Sequence, residues 1–538
     1  MPAEKQNSQG EMMKRLSPID ASFLYMESTR TPMHVGSLLI FQLPKNPPED
    51  YFKTLVDMMR SEPFMPSPFD CKLADTRFSR VRPAWVKAEL DMEYHVRHSA
   101  LPRPGGEREL GSLVQRLHSN PMDLDRPLWE AHLIEGLENN RFAFYFKAHH
   151  CAIDGMGAMN MVRKWLKRDP GDMSAPGVMS FAKPTVKASR KTTEMIKGVL
   201  SKATSSAKGL GELGVNLLEL RKGDDSMIKA SLHTPRSLFN APVSQQRRLG
   251  TQLIKLERFK RLSRALDVTV NDVTLAVVGA TTRRYLLEQG ALPGKSLTAS
   301  VPIGLDRAEG EGGNAVAGFV CSLHTDIDDP LERARRIHHA TLRAKADLKK
   351  MSRPALDNLA LSGLAPLLIG QMTGTLAKMS PMFNFVVSNV VLTKEKLYLM
   401  GAELEAMYPI SFLFDGYALN VTVIGYSENV AIGFVGCRDA IPKLQSLAVY
   451  AGEAVTELEK AAGLKPLPVA KASASKAVTK KTVTKKPVTK KTAVRKAPAS
   501  KATPKATAGK PATRKPAGKS AVRKTSAPKR KVVAVRKK

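Results

Sequence analysis

Two adjacent histidines, His149 and His150, are followed by Asp154 and Gly155 in the string AHHCAIDG. A neutral imidazole is the natural general base near pH 7. A carboxylate four residues past His150 can hold the loop, fix a ring or cap a helix. The preceding stretch 141–148 (RFAFYFKA) alternates aromatics with other residues, as a half-buried strand should. The following stretch 155–167 has helical apolar spacing through Met159, Val162 and Trp165 or Leu166. The pair therefore sits where a strand turns into a helix. Neighbouring strand residues point to opposite faces, so regular geometry does not bring both histidines to one site. One is expected to project into a cleft while the other packs or hydrogen-bonds. That argues against a shared metal, and no third ligand stands at zinc spacing. Gly155 is expected to allow backbone angles or a close approach that a Cβ would block. A purely structural use stays open on these residues alone, because an Asp ahead of a helix is usually its N-cap.

The elements that must position this turn belong to a chain of 538 residues, long enough for two or three domains. Its 43% hydrophobic and 25% charged composition suits a soluble protein with a substantial core. The net charge of +34 is concentrated at one end: residues 471–538 carry 24 Lys or Arg and no Asp or Glu. The first 470 residues hold 60 basic against 50 acidic groups, a net of only +10. Cys71, Cys151, Cys321 and Cys437 are too far apart for a zinc motif and read as small buried residues in a reducing compartment. Residues 1–13 lack the apolar core of a secretory signal. Residues 358–377 carry no charge, but Pro366, three glycines, Ser362, Gln371 and Thr373 make them a poor membrane span. A buried core helix or a segment resting on a membrane surface fits them better.

Further strands are expected at 34–43, 383–392, 419–425 and 430–435, the last two joined by a hairpin turn at 426–429. Helices are expected at 109–118, 271–287 and 441–460. Residues 193–220 have helical apolar spacing with lysines on another face, which suits an inter-domain helix, an interfacial helix or a solvated linker. The tail is built from Lys, Ala, Thr, Pro, Val and Ser without an aromatic residue, a composition expected to be disordered. The domain reading is 1–185, a linker at 186–245, a second α/β domain at 246–464 and a disordered basic tail at 465–538.

HHxxxDG is the signature of the superfamily of coenzyme A-dependent acyltransferases and peptide-synthetase condensation domains. The surrounding residues resemble bacterial wax ester synthase/diacylglycerol acyltransferases more closely: Ser17-Pro18 with Asp20, Pro32-Met33-His34-Val35-Gly36, Pro104-Gly105-Gly106 and Pro127-Leu128-Trp129-Glu130. Asn271-Asp272-Val273, Ser388-Asn389-Val390, Tyr408-Pro409, Gly416 and Ala418-Leu419-Asn420 continue the match in order. The chain departs from the family after Val390, where Val391-Leu392-Thr393 replace the frequent Pro-Gly-Pro.

The resemblance implies two similar α/β sandwich domains with the active site between them. It also implies transfer of an acyl group from acyl-CoA to diacylglycerol or a long-chain alcohol. His150 would be the base that takes the acceptor's hydroxyl proton, beside His149. Asp154 would be the structural aspartate, followed by Gly155. Asn271 would donate to the oxyanion or, equally, cap the helix that follows. Acyl-CoA is then a co-substrate, and no permanently bound cofactor is expected. No GxSxG motif suggests an acyl-enzyme. A cytoplasmic protein associated peripherally with membrane or lipid inclusions is expected. The basic tail suits nucleic-acid phosphates or anionic lipid. Two other readings remain at this point: a condensation-type transferase using another acceptor, and a non-catalytic lipid-granule or nucleic-acid-binding protein.

Overall fold

The structure is a computed structural model that describes residues 14–61, 65–75, 82–174, 227–303, 317–351 and 353–467. The helical pattern at 193–220 and the basic run at 471–538 lie outside the described residues.

Two six-stranded sheets organise the chain. In the first, the order is Tyr398–Leu399, Ala402–Ile410, His34–Gln42, Arg141–His149, Trp129–Leu137 and Val96–Ala100. Neighbours are antiparallel except for the last pair. The two-residue period of Arg141–His149 sorts its side chains between two cores. Phe142, Phe144 and Phe146 pack with Tyr51, Leu55 and Met59 of helix Tyr51–Arg60 and with Met159, Val162 and Trp165 of helix Gly155–Trp165. Ala143 and Tyr145 face the other way, toward Leu110 and Val114 of helix Glu107–Ser119. Each buried phenylalanine contributes about 1.5–3 kcal/mol relative to exposure, so the register of this strand is strongly fixed. A slip by one residue would exchange the two faces and misplace both histidines.

The second sheet runs Ala317–Ser322, Thr298–Ile303, Phe385–Thr393, Leu419–Tyr426, Asn429–Cys437 and Arg247–Lys255. Phe385–Thr393 lies parallel to both of its neighbours. Helix Val270–Glu288, buried over most of its length, packs against helices Ser446–Ala461 and Pro330–Lys350 over this sheet. Ala402–Ile410 pairs with His34–Gln42, so chain from beyond residue 246 completes the sheet that carries the histidines. The same strand packs on Asn429–Cys437 of the second sheet. Gly433 makes that approach possible, because a Cβ there would stand 2.5 Å from the Pro409 carbonyl oxygen.

Most expected elements form close to their expected places. The final helix starts late, at Ser446 rather than 441, because Pro442 and the left-handed Lys443 (φ 50°) make a turn first. Without the frequent prolines, Phe385–Thr393 continues as a strand past Val390, with a register shift between Val391 and Thr393. All four cysteines are buried free thiols. No helix of the described residues is long and apolar enough to cross a membrane.

Candidate active site

The two histidines part at the strand end. His149 is the last strand residue and is fully buried, with 0% of its surface exposed. Its backbone N–H donates to the Leu128 carbonyl at 3.0 Å. Its Nδ1 accepts the Cys151 backbone N–H at 3.1 Å, so the ring proton must sit on Nε2, which donates to the Glu27 carboxylate. His149 is thereby a neutral clamp at the base of the loop. Glu27 was not among the residues singled out by sequence.

His150 turns the other way and is half-buried. Its backbone N–H donates to the Met33 carbonyl at 2.9 Å. Its ring stacks on Phe23, with centroids 4.2 Å apart, and meets the edge of Phe412 at 5.3 Å. Burial among these rings lowers the imidazole pKa to about 4, even though the Asp154 charge pulls it upward. The ring is therefore neutral at pH 7. The neighbouring Cys151 thiol is pushed far above its ordinary range by burial and by the Asp20 and Glu27 charges. It stays protonated and is a poor nucleophile.

The elements behind these rings are built from the sequence motifs. Met33 precedes the strand His34–Gln42, where Gly36 gives room to the Tyr145 ring; a Cβ would come within 2.8 Å of it. In Pro127-Leu128-Trp129-Glu130, Leu128 holds the His149 backbone and the Trp129 indole donates to the Phe69 carbonyl at 2.9 Å. Glu130 is buried against Lys147 (3.3 Å), His132 (3.1 Å) and Arg97 (3.5 Å). Burial opposes its charge, yet the His132 hydrogen bond and the Lys147 and Arg97 charges hold its pKa down at about 2. Asn420 donates to the Phe412 carbonyl at 3.4 Å and so supports the second ring against His150.

Asp154 is the N-cap of Gly155–Trp165 and accepts the Gly157 N–H at 2.6 Å. Gly155 does not do what its type suggested: it has no left-handed φ and a Cβ there would meet open space. It is exposed at the first helical position, where nothing among the described residues demands a glycine.

Asn271 is not the cap of its helix. Thr269 is, through a box in which Thr269 and Asp272 bond each other's backbone N–H. Asp272 is held further by His338 at 2.7 Å and Thr341 at 2.6 Å. The Asn271 Oδ1 instead accepts from Asn389 at 3.3 Å. Asn389 lies on Phe385–Thr393, where Val386 packs into the apolar cluster of Phe23, Cys151 and Phe412. Further along, the Leu392 and Val391 carbonyls accept from Arg163 of helix Gly155–Trp165. One strand thus connects Asn271's partner to the rings around His150 and to the helix that Asp154 caps.

Comparison with known proteins gives one consistent answer. Residues 16–274 match the wax ester synthase/diacylglycerol acyltransferase catalytic domain, and residues 312–459 the C-terminal domain of the same proteins. A putative diacylglycerol O-acyltransferase of Mycobacterium tuberculosis is 46% identical over 450 residues, covering 84% of this chain and 100% of the relative. The O-acyltransferase WSD of Acinetobacter baylyi is 34% identical, covering 83% and 97%. The solved wax ester synthase/diacylglycerol acyltransferase from Marinobacter aquaeolei VT8 superposes with a TM-score of 0.68 at 36% identity, over 84% of this chain and 100% of that one. A condensation domain of the calcium-dependent antibiotic synthetase shares the fold, with a TM-score of 0.53 at 17% identity.

Proposed function

Because this chain belongs to the wax ester synthase/diacylglycerol acyltransferase family, we propose that His150 is the general base of an acyl transfer from acyl-CoA to the hydroxyl of diacylglycerol or a long-chain alcohol. The observation that carries the assignment is the pair of aromatic walls, Phe23 and Phe412, around a half-buried imidazole with its pKa lowered to about 4. Such a ring is neutral, and apolar surroundings suit a lipid acceptor.

His150 takes the hydroxyl proton as the acceptor oxygen attacks the thioester carbonyl. The C–O bond forms and the carbonyl oxygen becomes an oxyanion. Collapse breaks the C–S bond, and the imidazolium returns the proton to the departing CoA sulfur. Base catalysis of this kind is worth ~10²–10⁴-fold. No acyl-enzyme is needed, consistent with a protonated Cys151. Asn271 is the candidate oxyanion donor: its Oδ1 is engaged by Asn389, which leaves the NH₂ end to meet the substrate oxygen. His149, Glu27 and Asp154 hold the loop and touch no substrate.

Diacylglycerol and long-chain alcohols are poorly soluble in water, so the enzyme works at a lipid surface, and no helix of the described residues is long and apolar enough to cross one. The basic run at 471–538 adds attraction to a polyanionic surface. Incubation with labelled palmitoyl-CoA and a panel of alcohols, monoacylglycerol and diacylglycerol, followed by product identification, tests the reading. Labelled ester from at least one acceptor is expected; release of CoA without any ester would reject it.

A further inference from the structure

The uncharged stretch at 358–377 has a second face that the active site does not use. It forms most of the helix Arg353–Met372 and the short 3₁₀ turn Leu376–Lys378. Leu367 and Leu376 are buried, and Leu364 and Leu368 pack beside them in the cluster that holds Phe23 and Phe412. The opposite side carries Ala365, Ile369 and Met372 at helical spacing, all exposed. Ile369 is 62% and Met372 59% exposed, and Met379 follows at 40%.

The segment that bears the stripe is poor in acidic residues. No Asp or Glu occurs between Asp357 and Glu395. Lys378 is exposed beside the stripe, and the Arg236 guanidinium reaches the Ala377 and Met379 carbonyls at 2.9 and 2.6 Å. An apolar ridge with Lys378 and Arg236 at its C-terminal end fits a surface with an apolar interior and anionic headgroups.

The helix is also tied to both walls of the His150 site through one side chain. The Gln371 amide donates to the Met26 carbonyl at 3.2 Å and to the Thr31 hydroxyl at 2.7 Å. Its oxygen accepts the Asp415 backbone N–H at 3.0 Å. Met26 ends the helix Pro18–Met26 that carries Phe23, and Asp415 lies three residues past Phe412.

We propose that the ridge of Ala365, Ile369, Met372 and Met379 is the face on which the protein rests on an anionic phospholipid bilayer, coupled through Gln371 to both walls of the His150 site that takes the lipid acceptor. The proposal rests on the acyl-transfer reading for the acceptor's identity and on the surface alone for the contact. Because the four native cysteines are buried, one introduced at the surface takes a label selectively.

The test uses the full chain labelled at Ile369→Cys with an environment-sensitive fluorophore. The comparison is Val449→Cys, a similarly exposed site (55%) on the helix Ser446–Ala461. Vesicles of phosphatidylcholine and phosphatidylglycerol containing diacylglycerol are expected to blue-shift the label at 369 and leave that at 449 unchanged. This holds even if the basic tail supplies part of the affinity, because the label reports the face. The double variant Ile369→Asp/Met372→Asp is expected to lose tenfold or more of its turnover on vesicle-borne diacylglycerol while keeping its turnover on dissolved hexanol. No shift at 369, equal shifts at both sites, or full activity of the double variant on vesicles would overturn the proposal. A selective shift at 369 in a protein that acylates no acceptor would uphold the lipid-facing surface and reject the acyl-transfer reading.

Discussion

Glu27 and His149 lie 122 residues apart in sequence and meet in a buried pair whose imidazole is neutral, because the Cys151 N–H occupies Nδ1 and leaves the proton on Nε2. The pair fixes the loop from which His150 projects. Glu27→Ala leaves a buried N–H without its acceptor, a loss of about 1–3 kcal/mol. Turnover is expected to fall about tenfold or more as the loop loosens, while Glu27→Gln, which still offers an oxygen, restores most of it. Denaturant unfolding and steady-state kinetics on the three proteins check both effects. Equal kinetic defects in Ala and Gln would show that the charge matters rather than the clamp.

The lowered pKa of His150 sets the pH dependence. The neutral ring is the active form, and it is lost as pH falls through about 4. The value of kcat/KM for acyl transfer is therefore expected to stay flat from neutrality down to about pH 5 and to decline below it. A midpoint near the ordinary ~6.5 of a solvated imidazole would mean that the Phe23 and Phe412 walls do not desolvate the ring.

Asp154 is expected to act through structure. Asp154→Ala removes the cap on Gly155–Trp165 and costs about 1 kcal/mol of stability, with a fall in activity. Asp154→Asn retains an acceptor for the Gly157 N–H and should recover most of both. Thermal unfolding and initial rates measured in parallel decide it: an unchanged melting temperature with lost activity in Asn and Ala alike would give the carboxylate a chemical role.

Lys147 is 1% exposed, two residues before His149 on the same strand face, and its ammonium meets Glu130 and the Leu117 and Asn120 carbonyls at 3.2–3.3 Å. Lys147→Ala strands a buried carboxylate and is expected to cost about 3–5 kcal/mol in urea unfolding. A loss below about 1 kcal/mol would mean that Arg97 and His132 compensate for it.

The strand and helix around the histidines were legible because their periods are strong: aromatics alternate through 141–148, and apolar residues recur at helical spacing after Asp154. The same alternation explains why His149 and His150 part company. The capping role of Thr269, two residues before Asn271, is written in the Thr-x-x-Asp spacing that ends at Asp272. Glu27, Phe23, Phe412 and Gln371 left no such trace. Each acts through contacts between segments distant in sequence, and neither period nor composition marks a residue for that. Gly155 misled for a related reason, since only the surroundings reveal whether a missing Cβ is needed.

The most direct measurement is the initial rate of ester formation from labelled palmitoyl-CoA and the preferred acceptor by the parent protein and by His150→Gln, with melting temperatures taken on the same samples. The expected result is a fall of ~10²–10⁴-fold in turnover with an unchanged melting temperature. A correctly folded His150→Gln protein that turns over at the parent rate would contradict the assignment of His150 as the base.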